Sequence, residues 1–240
     1  MNYKETIKYY IYTMSFQKRI VFYLVHQLFY TNQKAKELIK NGQVMIDNKI
    51  INENIILTQD AEIKVNNLII RNRKTLVYML FYKPKGYEST LNSSISNNLS
   101  EFFNNFNNLA IAGRLDKQSE GLLILSNDGK WIENLCNPKF EKEKEYDVIL
   151  DKKPNEEFIK LFTSGVLIGK YITKTCQCKI IDDFSIRVIL KEGKNRQIRK
   201  MCKTLGYSVL MLKRTRIHHF KLGSLNEGEY IKANLSSTSS

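Results

Sequence analysis

The sequence predicts an α+β fold in two parts. A small N-terminal unit of helices and short strands precedes a larger unit built on a mixed, largely antiparallel sheet with flanking helices and a central cleft. Three observations carry this expectation. Helical and strand periodicities mix along the chain without the regular strand–helix–strand rhythm of a parallel sheet. Apolar residues alternate with polar ones in several short runs, as in strands covered on one face. A polar, basic stretch at residues 66–75 (NNLIIRNRKT) separates regions of different texture and reads as a linker.

Taken in order, residues 1–16 form an N-terminal extension, 17–75 the first unit, 76–234 the second unit and 235–240 a Ser-rich, disordered tail. In the first unit Ile20, Leu24 and Leu28, with Val21, Val25 and Phe29, recur every four residues and give one apolar helical face. Thr31 caps a second helix, Gln33 to Lys40, whose apolar residues are Ala35, Leu38 and Ile39, and Gly42 stops it. Val44 and Ile46, then Ile63 and Val65, alternate as short strands.

In the second unit Leu76 to Phe81 is a strand ending at the turn Lys83-Pro84-Lys85-Gly86. Residues 92–108, rich in Asn and Ser, read as a mobile surface loop with a short helix. Leu122 to Leu125 is a buried strand between Gly121 and the turn Asn127-Asp128-Gly129. Tyr146, Val148 and Leu150 alternate, as do Phe184, Ile186, Val188 and Leu190. Between them Pro154-Asn155-Glu156-Glu157 opens a helix that Gly165 ends.

Charge narrows the function classes. Lys and Arg number 38 against 24 Asp and Glu, a formal charge of +14 on 240 residues. A field of that sign favours a polyanionic partner, either nucleic acid or an anionic membrane surface. The most apolar stretch, Tyr9 to Tyr30, is broken by Lys18 and Arg19, and its charge-free piece is shorter than the roughly 20 residues a bilayer span needs. No signal-peptide order opens the chain, so a cytoplasmic location is expected. Of the cysteines, Cys176 and Cys178 alone are close, and no His-containing cluster completes a zinc site. They read as reduced and structural, and no metal is expected.

Two segments carry chemistry. Lys191 to Lys221 holds ten basic residues and one acid, Glu192. Within it Ile198, Met201, Cys202 and Leu205 fall at helical spacing, and Arg196, Arg199, Lys200 and Lys203 repeat that spacing offset by two. One helix, stopped by Gly206, therefore presents an apolar face inward and a cationic face outward. Lys213, Arg214 and Arg216 follow on a strand. Guanidinium groups suit phosphate through paired hydrogen bonds, so phosphate binding is the expected role. The second segment is Gly113-Arg114-Leu115-Asp116-Lys117-Gln118-Ser119-Glu120-Gly121. Its glycines bracket a short loop leading into the buried strand, where an aspartate can be held rigidly as a nucleophile or base must be.

GRLDKQSEGLLILSNDG closely resembles the catalytic signature of bacterial pseudouridine synthases, in the branch that includes RsuA, RluB, RluE and RluF. KEGKNRQIRKMCKTLGYSVLMLKRTRI is similar to that branch's C-terminal signature, FYKPKGYEST to its first motif, and EKEYDVIL to the segment bearing its active-site tyrosine. The four motifs stand in the family's order from about Leu76 to Ile217. The first unit resembles an S4 RNA-binding domain through TNQKAKELIKNGQV, although Thr31-Asn32 stands where that family has a Ser-Arg pair.

The resemblance implies a cofactor-free isomerase that cuts the bond from uracil N1 to ribose, turns the base and rejoins it through C5. Asp116 matches the catalytic aspartate, which attacks ribose C1′ or takes a proton from C2′. Arg199 matches the arginine that pairs with it, Tyr146 the tyrosine that stacks on the base, and Leu212 the apolar residue that packs against the uracil. The target is flipped out of its helix, and an aromatic face offsets its lost stacking. Arg114 is a candidate phosphate clamp, and Arg196, Lys200, Lys203, Lys213 and Arg214 complete the substrate-binding set. The ending Leu212 to Ile217 resembles the RluF-like subgroup, which acts on large-subunit ribosomal RNA. The expected partner is therefore ribosomal RNA bound by a monomer, with small-subunit RNA or tRNA as the alternative targets. A non-catalytic RNA-binding assembly factor is the rival from another class.

Overall fold

The structure is a computed structural model that describes residues 18–58, 60–106 and 108–233. The expected extension at 1–16 and tail at 235–240 lie outside the described residues. The chain divides into two compact units, one ending at Leu76 and the other beginning at Val77.

In the first unit, helices α1 (Ile20–Leu28) and α2 (Asn32–Lys40) cover an antiparallel sheet ordered β2-β1-β3-β4. Its strands are β1 (Val44–Ile46), β2 (Lys49–Ile50), β3 (Ile63–Val65) and β4 (Leu68–Arg71). Thr31 Oγ1 accepts from the Lys34 amide at 3.1 Å and so caps α2. Ile20, Leu24, Ala35, Val44 and Ile63, all fully buried, form the centre of this core. Phe29 departs from its expected place on the apolar face. The helix ends at Leu28, Phe29 turns left-handed with φ 58°, and its ring is 88 % exposed.

The stretch read as a linker contains β4. Asn66 and Asn67 both have positive φ (51° and 65°), the geometry of a type I′ hairpin turn, and send the chain back along β3. Asp47 and Asn48 turn β1 into β2 the same way. Polar composition hid the strand because its leading residues Leu68 and Ile69 are themselves exposed.

The second unit is built on one mixed sheet, along which the strands run β11-β12-β8-β13-β7-β5-β15. These are β5 (Tyr78–Lys83), β7 (Glu120–Ser126), β8 (Lys144–Leu150), β11 (Gln177–Ile180), β12 (Ser185–Leu190), β13 (Val209–Ile217) and β15 (Tyr230–Lys232). Short β6 (Ala110–Ile111) pairs with β7, and β14 (Phe220–Lys221) with β13. Every pairing along the sheet is antiparallel except β13 with β7.

The sheet is covered on both faces. Leu123 and Leu125 join one core with Tyr146, Val148, Ile198 and Leu212, while Leu122 and Ile124 join another with Leu135 and Ile217. That two-sided burial is why Leu122 to Leu125 form an unbroken apolar run, each fully buried. Helix α3 (Ser100–Phe103) belongs to the segment expected to be a mobile loop. Leu99 and Phe103 are buried there, and Phe102 and Phe103 stack against Phe81, so the segment closes a core.

Asn127-Asp128-Gly129 is not a free turn. Asp128 accepts from the Trp131 amide at 3.1 Å and opens helix α4 (Gly129–Cys136), which the sequence reading missed. Asn155 caps α5 (Glu156–Ser164) as expected, accepting from the Phe158 amide at 2.8 Å. Phe184 falls just before β12 and is half exposed, whereas Ile186, Val188 and Leu190 alternate into the core. A separate hairpin, β9 (Leu167–Ile168) and β10 (Tyr171–Ile172), precedes β11, and α6 (Gln197–Thr204) leads into β13. Among the described residues no helix is long and apolar enough to cross a membrane. No group of His, Cys, Asp and Glu there could hold a metal ion.

Candidate active site

Asp116 stands on the loop between β6 and β7, and neighbouring segments tie that loop down residue by residue. Ser89 Oγ donates to Leu115 O at 2.7 Å and accepts from the Leu115 amide at 3.1 Å. The Gly86 amide donates to Lys117 O, and the Ser119 amide to Asp116 O. Arg199 Nη2 donates to Gln118 O at 2.8 Å and reaches Ser119 Oγ at 3.3 Å. Leu115 and Ser119 are buried, which leaves the Asp116 side chain 27 % exposed between two anchored neighbours. A reacting group so held needs little reordering before it acts.

The turn at Lys83 to Gly86 belongs to this support. Lys83 is fully buried and donates through Nζ to Pro84 O and Tyr87 O, both at 2.8 Å. Burial pulls its ammonium down to about 8, against the pull of Glu88 and Glu120. Lys83 and Ser89 both lie in FYKPKGYEST, yet neither stood out there as a site residue, because a Lys-Pro turn and a Ser among polar neighbours look like surface.

The guanidinium in ion-pair range of Asp116 is that of Arg196, Nη1 to Oδ2 at 3.9 Å, and not that of Arg199. Arg196 is the residue before α6 and takes a left-handed φ of 51°, which turns its side chain out of the helical register the sequence suggested. Arg199 is only partly exposed and does not face outward. Its Nη1 donates to Val209 O at 3.1 Å, Nη2 holds the Asp116 loop, and Nε is buried without a partner. Burial pulls it below the ordinary arginine range, Arg196 adds to the pull, and Asp116 opposes it.

Tyr146 lies on β8, opposite Arg214 of β13 and Val188 of β12. It is 8 % exposed and shares a core with Leu115, Ile198 and Leu212. The sheet thus brings Tyr146 and Leu212 to the face where Leu115, Asp116's neighbour, is packed. Arg114 is exposed at the loop's entry, and Lys200 and Lys203 are exposed on α6. Lys200 and Lys203 line a shallow depression of about 330 Å³ with Ile168, Gly169 and Thr204, to which no residue of the loop 113–121, Arg114 included, contributes.

One expected phosphate contact, Arg214, is corrected, and its neighbour Lys213 lies on the opposite face of the strand. Arg214 is 2 % exposed, its Nε donating to Leu122 O at 2.8 Å and Nη1 to Arg114 O at 3.4 Å. Odd and even residues of a strand face opposite ways, so the run Lys213-Arg214 cannot present both cations to one ligand. Lys213 points to the other face, where its ammonium sits 4.6 Å from the Tyr82 ring centre and Tyr82 donates to Glu120 at 2.9 Å.

Comparison with known proteins gives the family. The family described as RNA pseudouridylate synthase matches residues 77–204. A dual-specificity RNA pseudouridine synthase RluF of Escherichia coli K12 is 35 % identical over 202 residues, covering 83 % of this chain and 70 % of the relative. A ribosomal large subunit pseudouridine synthase B of Bacillus subtilis is 31 % identical over 208 residues, covering 83 % and 85 %. A crystal structure of a pseudouridylate synthase superposes with a TM-score of 0.64 at 27 % identity, covering 91 % of this chain and 97 % of that one. The four sequence motifs, the braced aspartate and these matches over most of the chain agree, and the chain belongs to the RNA pseudouridylate synthase family.

Proposed function

We propose that this chain converts a uridine of ribosomal RNA to pseudouridine with Asp116 as the catalytic carboxylate. The observation that carries the proposal is the anchoring of the Asp116 loop by Ser89, Gly86 and Arg199. A merely solvated turn would not need such support. The reaction is an isomerisation: the N1–C1′ bond breaks, C5 bonds to C1′, the C5 proton leaves and N1 gains one. Asp116 serves either by attacking C1′ or by taking the C2′ proton. Arg196 supplies the nearby positive charge, and Arg199 acts by fixing the loop. Tyr146 and Leu212 offer the aromatic and apolar surface on which an everted uracil rests, offsetting its lost stacking.

Arg114, Lys200 and Lys203, exposed and basic, are proposed as phosphate contacts that position the RNA without reading its sequence. The N-terminal unit is proposed as an S4-like RNA-binding module, with Lys36 and Lys40 of α2 exposed toward the polyanion. The Bacillus subtilis relative's name supplies the preference for ribosomal RNA and for its large subunit. The chain is read as a cytoplasmic monomer.

The test maps pseudouridine in ribosomal and transfer RNA from cells with the gene, without it, and with Asp116→Ala. Loss of one ribosomal pseudouridine in both altered strains, with RNA binding by the variant retained, supports the proposal. An unchanged modification map in the strain lacking the gene rejects it.

A further inference from the structure

Arg214 is the one arginine among the described residues that solvent scarcely reaches. Its contacts fall on both ends of the Asp116 loop. At the exit, Gly121 pairs with Arg214 in the parallel β7–β13 register and lies against its backbone. A Cβ on Gly121 would stand 2.3 Å from Arg214 O and 2.7 Å from its N. At the entry, Arg214 Nη1 reaches Arg114 O at 3.4 Å, while Nε donates to Leu122 O at 2.8 Å. Across the sheet the same residue pairs with Tyr146 in register, so both side chains share one face.

We propose that Arg214 is a positioning residue, a clasp that closes the Asp116 loop at both ends and fixes it against the strand carrying Tyr146. The proposal rests on the catalytic reading of Asp116. Arg214 Nη2 is buried without a partner. A guanidinium kept in a site that leaves one of its nitrogens unpaired is poorly explained by its own stability. It is better explained by the two carbonyls the other nitrogens hold. The planar fork can meet Leu122 O and Arg114 O together, which a single ammonium cannot do in the same geometry. The role differs from a phosphate contact, since the side chain is inside the sheet.

The experiment compares wild type with R214K and R214Q, using full-length protein and ribosomal RNA from a strain lacking the gene. Four quantities are read: amide hydrogen exchange at residues 114–119, single-turnover rate, RNA Kd, and the dependence of Kd on salt. The expected result is faster exchange at 114–119 and a rate reduced about a hundredfold, with Kd and salt slope unchanged. A weaker Kd with a salt slope reduced by about 1 would make Arg214 a phosphate contact and overturn the proposal. An unchanged rate with unchanged exchange overturns it too. So does failure of both variants to fold, because the residue would then serve the core and not the loop. If wild type itself makes no pseudouridine, the catalytic reading fails, and the exchange at 114–119 alone decides whether the clasp exists.

Discussion

At the scale of single residues, the candidate site rests on side chains that hold the backbone of the Asp116 loop. Asp116→Asn is expected to lower the isomerisation rate by at least about a thousandfold with RNA affinity kept, read by single-turnover assay and filter binding. Gly121→Ala puts a methyl group against the β13 backbone in a φ +103° conformation, so it is expected to cost about 3 kcal/mol in urea unfolding and to abolish activity. Lys83 gives a pH signature. Its ammonium is pulled to about 8 when folded, below its unfolded value, so the unfolded chain binds more protons between about pH 8 and 10.5. Stability relative to Lys83→Met is therefore expected to rise with pH across that window, and a flat difference would contradict the burial. The motifs pointed to Asp116, Tyr146 and Leu212 as candidate site residues. The sequence reading took Arg199 and Arg214 as outward cations, because a cation facing solvent and one donating to buried carbonyls have the same letter.

At the scale of elements, periodicity served where one face is buried and failed where burial is unusual. Helix α2, its Thr31 cap and the alternation in β12 were readable because apolar spacing maps directly onto a covered face. Strand β4 was taken for linker because its apolar residues stay exposed, and α4 was missed because only Leu135 of its residues is buried. Thr31→Ala removes the cap of α2 and is expected to destabilise the N-terminal unit by about 1 kcal/mol, measured by the thermal midpoint of that unit. On α6 the cations divide by role. Arg199 faces the Asp116 loop, while Lys200 and Lys203 stay exposed. Replacing both lysines by alanine is expected to weaken RNA binding and lower the salt slope by about 1.5, leaving the rate at saturating RNA unchanged.

At the scale of the whole molecule, the +14 charge and the braced loop answer different parts of the problem. The charge draws the chain to any polyanion and gives no preference among uridines. On the proposed mechanism the loop supplies the chemistry and acts only on a base already turned out of its stack. The α+β class was legible because strands and helices alternate irregularly, and the mixed sheet has that arrangement, with β7 and β13 its one parallel pair. That pair was invisible in the sequence. It joins residues 120–121 to 213–214, and no local pattern encodes a partner so distant. The most direct measurement uses ribosomal RNA labelled with tritium at uridine C5, from cells lacking the gene. Wild type is expected to release the label as water in step with pseudouridine formed, and Asp116→Asn to bind the RNA equally well and release none. Release by the variant at the wild-type rate would contradict the account.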